Sequence, residues 1–394
     1  MTRFLFLLCL ASSTAMAFPW MVKHDYASCA SCHVDPSGGG QLSKYGRAQA
    51  DVLVRWKLTK PVSRKEEEVP ASANFLWFLE LPDALNLSGN LRSGALIRPA
   101  AATPVIPMFM AYDLYATVNV LNFVGHATAG VGIRNAQLAA IAPQCDASAG
   151  PCGVQAVARE YWGGAKFAEE SVMVRAGRMN IPFGLRNSEH TTFVRSLTRT
   201  DINVAQQVGV AASYNGEGLR GEVMGVLGNF QIGPDVYRER GYAAYGEYGL
   251  SSSLFVGLSS QILRSQGDYE LLRPTTRHAH GLFARWAPSQ ALAILAEGDL
   301  LAWQSPSQLD RIGFAGLVQG DYELMQGIHL IGTLEAAHTG TDARGFSYGG
   351  WISAAWNVLP HIEIRIDNMV RRLAQPELDA ALSYSLLVQL HVFL

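Results

Sequence analysis

Apolar and polar residues alternate one by one along much of the chain beyond residue 80, which is the pattern of β-strands. In 361–371, Ile362 and Ile364 share one face and Glu363 and Arg365 the other. The segments 108–120 and 381–394 alternate in the same way, and in the first of them Met110 falls on the apolar face. An apolar face opposite a charged face suits a wall between lipid and a wet lumen. The pattern therefore predicts membrane-spanning strands.

About 16 such segments follow one another, an even number, as in single-chain bacterial barrels. They cover 86–98, 108–120, 123–134, 155–167, 171–182, 205–214, 217–226, 241–249, 253–263, 276–286, 290–302, 311–324, 328–338, 347–357, 361–372 and 381–394. The connections alternate between short and long, as periplasmic turns and external loops do. This rhythm predicts both termini on the periplasmic side. The alternative, a soluble β-sandwich or a two-domain all-β protein, fits evenly spaced strands poorly.

The composition agrees with a membrane barrel. Only 16% of the 394 residues are charged and 49% are hydrophobic, whereas soluble domains average about 25% charged residues. After residue 17 the sequence contains no apolar run of about 18 residues, the length that a transmembrane helix needs. A formal net charge of −2 gives no basic footprint for a nucleic-acid partner.

Residues 1–17 have the features of a secretory signal peptide. Arg3 provides the positive start, an apolar stretch from Phe4 to Leu10 follows, and Ala15-Met16-Ala17 forms a small-residue cleavage site. Export through such a signal places the mature chain in a compartment that permits disulfides.

Close behind the predicted cleavage site stands Cys29-Ala30-Ser31-Cys32-His33, a C-x-x-C-H motif. This is the attachment signature of c-type haem. Two thiols add to the haem vinyl groups, and the histidine ligates the iron. Two other interpretations are weaker. A structural zinc site needs a second ligand pair, and a thioredoxin-like redox pair needs a βαβ context. We therefore predict one covalent haem c on Cys29 and Cys32, with His33 as the proximal iron ligand.

The remaining cysteines of the mature chain are Cys145 and Cys152, in a loop that contains Gly and Pro. They are placed to form a disulfide in an oxidising compartment. Cys9 leaves with the signal peptide, so no thiol is left over.

These features divide the chain into a signal peptide (1–17), a monohaem cytochrome c domain (18–55), a charged linker (56–80) and a porin-like barrel (81–394). The haem domain is too small to build its own core, and covalent haem would supply apolar bulk. The predicted fold is all-β: a transmembrane antiparallel barrel of about 16 strands, with the haem domain as a plug or periplasmic cap.

A signal peptide, one c-type haem motif followed by Tyr45-Gly46-Arg47, and a barrel of this size resemble the fused monohaem c-type cytochrome–porins of the outer membrane, best known from iron-oxidising bacteria. The resemblance implies electron transfer through the outer membrane. One partner would be an extracellular donor or acceptor, for which Fe(II) is a candidate, and the other a periplasmic c-type cytochrome or another soluble electron carrier. Outer-membrane lipid would surround the barrel.

The second axial ligand of the iron is open at this stage. The order of preference is His24, then a lumen histidine, then Met21, with His190 in the long loop 183–204 as a further candidate. The lumen histidines are His126, His329, His361 and His391, which also suit an ordinary polar pore lining.

Two further features near the motif have alternative interpretations. Gly38, Gly39 and Gly40 either let the backbone lie against the porphyrin or form a turn after Pro36. Arg47, with Tyr45, either meets a haem propionate or is a solvated helix charge.

The leading functional hypothesis is an outer-membrane electron conduit. The alternative is a diffusion porin whose haem domain only plugs or senses. A haem enzyme such as a peroxidase would need acid and base groups around an open iron site, and the sequence shows no such set.

Overall fold

The computed structural model describes residues 19–26, 28–58, 73–99, 104–133, 154–187, 189, 191–306, 308–340, 346–374 and 382–394. Seventeen strands make one sheet, in which neighbours pair antiparallel. They are β1 (Leu85–Ile97), β2 (Val105–Val120), β3 (Phe123–Ile133), β4 (Val154–Val157), β5 (Tyr161–Phe167), β6 (Val172–Met179), β7 (Gln207–Asn215), β8 (Leu219–Gly228), β9 (Arg240–Ser251), β10 (Leu254–Ser265), β11 (Thr275–Ser289), β12 (Leu292–Ser305), β13 (Gln308–Met325), β14 (Ile328–His338), β15 (Phe346–Leu359), β16 (Ile362–Arg372) and β17 (Leu382–Phe393).

The sheet closes on itself as a barrel of 16 strands. β4 and β5 both pair with β3, so they are the two halves of one interrupted strand. β1 pairs with β17 from Asn90–Phe393 to Ile97–Leu386, which joins the first strand to the last. Closure leaves no edge strand with unpaired backbone groups, the condition for a sheet to cross lipid. The predicted antiparallel barrel and its strand number are confirmed.

The outer face of the barrel is apolar. Leu258, Leu282 and Leu334 are 63%, 65% and 69% exposed, although water would favour polar side chains at such positions. The opposite face of β16 carries Arg365 and Asp367, which are buried inside. The alternation that predicted the strands is therefore an alternation between the outside and the lumen.

Short and long connections alternate around the barrel. The short turns, such as 121–122, 252–253 and 326–327, form one rim, and longer connections such as 229–239 and 266–274 lie at the other. The second rim also includes one short interval, between the end of β12 at Ser305 and the start of β13 at Gln308. We call the two ends the short-turn rim and the long-loop rim.

Among the described residues, helical structure is confined to short pieces. α1 (Lys44–Gln49) continues into a π-helical turn over Ala50–Val54, and α2 (Phe193–Thr198) lies in the connection 180–206. 3₁₀ segments cover Pro19–His24, Cys29–Ser31 and Asp235–Tyr237. Within the described ranges, no helix has the length and apolar character to cross a membrane.

The outer face provides a test of its lipid contact. Leu282 is at the centre of β11 (Thr275–Ser289) and points outward. Replacing it with arginine should lower the free energy of unfolding in lipid vesicles by about 2–4 kcal/mol, because a guanidinium at the bilayer midplane is costly. Denaturant titration of the vesicle-inserted protein measures this. Leu282→Ala is the matched control and should cost less; equal costs for both variants would mean that this face does not contact lipid.

Candidate functional site

The N-terminal segment lies inside the barrel at the short-turn rim. We call residues 19–58 the plug. Its end is fixed by backbone hydrogen bonds: the amide of Trp56 donates to the carbonyl of Asn357 at 2.9 Å, and that of Lys57 to Gln326 at 3.1 Å. Trp56 also packs edge-on against Trp356, with ring centroids 5.1 Å apart. The plug therefore enters the lumen from the side where the sequence places the periplasm.

The first turn of the plug is anchored by a buried ion pair. The ammonium group of Lys23 is 2.7 Å from Asp321 Oδ1 and 3.1 Å from Glu323 Oε2, and its side chain is shielded from solvent. His24 Nε2 is 3.2 Å from the same Glu323 carboxylate. A buried charge is tolerated only when it is paired in this way.

A second anchor holds the loop that follows the motif. Asp35 Oδ1 accepts a hydrogen bond from Arg175 Nη2 at 2.9 Å, and the same nitrogen donates to Glu222 Oε1 at 2.7 Å. All three side chains are buried. Burial alone would raise the pKa of Asp35, but Arg175 and then Arg186 outweigh it and hold that pKa at about 2. The carboxylate is therefore ionised at neutral pH.

The connection 180–206 fills the lumen from the other side. Glu189 lies 2.6 Å from Arg365 Nη1, and the amide of Phe193 at the start of α2 donates to Glu335 at 2.8 Å. This inward loop meets the plug where Arg186 Nε donates to Ser37 Oγ at 3.2 Å.

The plug and the inward loop together keep water away from much of the wall. Lumen-facing side chains that would be hydrated in an open pore are buried, among them Arg175, Glu222, Glu247, Arg285, Asp321 and His329. Their charges are matched within the lumen; for example, Arg285 Nη2 lies 2.7 Å from Glu247.

The motif itself forms one tight turn. Cys29–Ser31 is a 3₁₀ turn, and the amide of His33 donates to the carbonyl of Cys29 at 2.9 Å. Gly46 packs so closely that a Cβ there would lie 2.5 Å from the Cys32 carbonyl oxygen. Gly38 has φ of +94°, and a Cβ there would lie 3.0 Å from the Cβ of Cys29. Side chains at either glycine would displace the cysteines.

A cavity of about 160 Å³ lies beside this turn, between the plug and the wall. Most of its lining surface is apolar and a few polar groups interrupt it, as is usual in ligand pockets. Cys32 and His33 line it together with Gly39 and Gly40, and the facing wall contributes His391 and Met110. Three guanidinium groups also border it, those of Arg92, Arg159 and Arg186.

The residues present fit a covalent haem in three respects. A sulfur and an imidazole of the motif border one cavity. Gly39, with φ of +84°, has no atom within 4 Å of the position of a Cβ, so its backbone faces open space. The guanidinium groups are suitable partners for propionate carboxylates. Cys29 is turned away: its sulfur accepts a hydrogen bond from Arg220 Nη1 at 2.8 Å. Attachment through both sulfurs would exchange this contact for the thioether.

A second cavity, of about 290 Å³, adjoins the first. The two share Arg92, Met110, Arg159 and Asn203 in their linings. The second is also lined by Met108, Trp351 and Met369, which lie towards the long-loop ends of their strands. The first is lined by Pro19, Phe393 and Leu394 at the short-turn rim. Space therefore continues from the motif towards the long-loop rim.

The predicted second ligands are spread over the lumen. His126 lies 2.9 Å from Thr117 Oγ1 and stacks on Trp162, whereas His329 lies 3.0 Å from Asp321 Oδ1. His361 is buried near Phe393. Among the described residues that line the first cavity, the histidines are His33 and His391. His24 is paired with Glu323, and Met21 packs in a cluster with Cys32 and Val54.

The structure also bears on the predictions for Arg47 and for the three glycines after the motif. Arg47 is buried and donates to the carbonyls of Ala73 and Leu87 at 2.9 and 2.7 Å, so the interpretation as a solvated charge was wrong, and the contact with a propionate stays a prediction. Gly38 packs on Cys29, while Gly39 and Gly40 border the cavity. The signal peptide, His190, and Cys145 with Cys152 lie outside the described residues, so the predicted cleavage and disulfide stay predictions.

Sequence reasoning missed Met110 and assigned it to the lipid face. The register of β1 with β2 shifts between Arg92–Ala111 and Ser93–Phe109, which leaves Met110 as an extra residue in a β-bulge. A bulge changes which side chains face inward, and strict alternation cannot reveal it. The Asp35–Arg175–Glu222 network was also missed, although alternation does place Arg175 and Glu222 in the lumen.

Comparison with known proteins supports the fold. No protein-family model matches the chain, and no curated protein matches it. Among solved structures, the trimer form of OmpT, an outer membrane protein of Vibrio cholerae, has a TM-score of 0.59 at 10% identity, covering 79% of this chain and 99% of that one. The outer membrane channel DcaP of Acinetobacter baumannii gives 0.56 at 10% identity, with 79% and 97% covered.

An anion-selective porin from Comamonas acidovorans is also similar, with a TM-score of 0.55, 11% identity, and 78% and 98% of the two chains covered. This chain thus has the fold of outer-membrane porins. Structural similarity at such low sequence identity supports the fold and does not establish the activity.

The anchors of the plug can be tested at Asp35. Asp35→Asn removes the charge that matches Arg175 and should cost about 3 kcal/mol of plug docking, the lower end for breaking a buried pair, because Glu222 remains. Limited proteolysis of the detergent-purified protein should then cleave the plug faster than in the wild type while the barrel stays intact. Asp25→Asn, at an exposed position of the same segment, is the matched control. Equal protection of both variants would contradict this role.

Proposed function

We propose that the chain is an outer-membrane electron conduit. One haem c would be held covalently by Cys29 and Cys32, with His33 on its iron, in the cavity between the plug and the barrel wall. Electrons would pass between an extracellular donor or acceptor, with Fe(II) as a candidate donor, and periplasmic carriers. The single observation that carries the proposal is the position of Cys32 and His33 on one cavity inside a closed barrel.

The residues around that cavity have separate roles. Haem would supply a one-electron carrier inside an insulating membrane. The turn Cys29–Ser31 presents the sulfurs and His33 from one short piece of backbone. Arg92 and Arg186 would balance the propionates, whereas Arg159 already pairs with Asp113 at 2.9 Å, and Gly39 would leave room beside the porphyrin. The buried anchors at Lys23 and Asp35 hold the motif in place.

The two rims would serve different partners. The plug lies at the short-turn rim, where a periplasmic c-type cytochrome or another soluble carrier would dock. The second cavity extends towards the long-loop rim, where the extracellular partner would approach. The lipid of the outer membrane would surround the apolar outer face.

A diffusion porin is the second candidate, because the fold alone supports it equally. One of the similar structures is an outer membrane channel and another is an anion-selective porin. The filled lumen argues for the conduit. Arg175 and Glu222, which would meet water in an open pore, are 1% and 3% exposed.

Transport in liposomes distinguishes these functions. The purified haem-loaded protein is reconstituted in vesicles that contain a redox dye, and an impermeant reductant is added outside. The dye should be reduced, because electrons cross through the haem. Cys29→Ala should abolish covalent attachment and most of the reduction.

Two controls complete this experiment. Small uncharged solutes should leak no faster than from protein-free vesicles. Fast leakage from the wild type, together with dye behaviour that is unchanged in Cys29→Ala, would establish the diffusion porin instead. A denaturing gel stained for haem reports attachment directly.

A further inference from the structure

The β-bulge in β2 (Val105–Val120) brings a methionine to the candidate haem cavity. Below the bulge, Asp113 and Tyr115 point inward and Leu114 points outward, so continued alternation would send Met110 into lipid. The extra residue in the register opposite Arg92 and Ser93 breaks the alternation. Met110 then borders the cavity that Cys32 and His33 line. Bulges often re-aim a side chain beside a functional site.

We propose that Met110 is the second axial ligand of the haem iron. This inference rests on the proposed function, since it assumes that His33 binds the iron from the other side. A thioether is a neutral, soft donor that needs no proton loss before it binds iron. Among the described residues around the cavity, Met110 is the methionine, and His391 is the histidine outside the motif.

His391 is the less suitable of the two because both ring nitrogens are engaged. Nδ1 lies 3.4 Å from Arg92 Nη2, and Nε2 lies 2.8 Å from Asn90 Oδ1. A guanidinium only donates, so Nδ1 accepts and the proton is on Nε2, where it serves the asparagine oxygen. Binding iron through Nε2 would require a change of tautomer and the loss of the bond to Asn90, and binding through Nδ1 would break the bond from Arg92. The earlier candidates His24 and Met21 are held by Glu323 and by the cluster around Val54.

The position of Met110 has a consequence for the electron path. It borders both the motif cavity and the cavity towards the long-loop rim. A ligand at this junction puts the second face of the haem next to the space through which an extracellular partner would be reached. His/Met ligation also raises the reduction potential relative to other axial sets.

Spectroscopy of Met110→Leu in the full-length haem-loaded protein tests the proposal. Leucine conserves volume, so folding should be retained. The wild type should be low-spin with the sulfur-to-iron charge-transfer band in magnetic circular dichroism. The variant should lose that band, become high-spin and show a lower reduction potential in a redox titration. Met110→His should restore a low-spin haem without the band.

The matched control is Met108→Leu. Met108 is two residues away on the same strand, and it borders the second cavity but not the first. Its spectrum should equal that of the wild type. Unfolding by circular dichroism and migration on unheated gels confirm that each variant holds a folded barrel.

The outcomes separate the two proposals. An unchanged low-spin spectrum in Met110→Leu, or a high-spin haem in His391→Gln instead, would overturn the role of Met110 and leave the haem in place. A high-spin haem in the wild type would also overturn the role of Met110. A wild-type protein without covalent haem would overturn the proposed function, and the ligand assignment with it.

Discussion

Buried charge pairing between the plug and the barrel wall is the constraint on which the site depends. A lumen lined with Arg175, Glu222, Asp321 and Glu323 is stable in two ways: filled with water, or filled with protein that matches each charge. The second holds here, with Asp35 and Lys23 as the matching groups. Breaking one partner would leave the others desolvated and unpaired. The plug, the wall and the cavity between them therefore form one electrostatic unit.

The barrel could be predicted from the sequence because each strand reports its two environments residue by residue. In β16, for example, Glu363 and Arg365 alternate with Ile364 and Ile366. This local alternation alone identifies one face towards the lumen and one towards lipid. A plug could be predicted as well, because the short segment with Cys29 and His33 comes before the barrel in the chain and is small enough to enter its lumen. The pairing of residues across the lumen could not be predicted, because Asp35 and Arg175 are 140 residues apart and no local pattern links them. Met110 was misplaced because one inserted residue reverses the alternation on which the prediction relied.

The similar structures show how little the fold says about the activity. Porins at about 10% identity share the closed sheet, and the features that set this chain apart lie in the plug and the surfaces that meet it. The motif turn, Gly38 and Gly46 packed on the cysteines, and Arg220 at the Cys29 sulfur have no part in building a barrel. A common scaffold thus carries a site that its architecture does not require.

In the proposed conduit, the filled lumen would separate the passage of charge from the passage of solutes. An open barrel adds permeability with every copy, so a cell that needs many copies also admits toxic solutes and loses periplasmic metabolites. A conduit that is filled by its own plug and inward loop would carry no such penalty, and its number in the membrane would be limited by synthesis rather than by leakage.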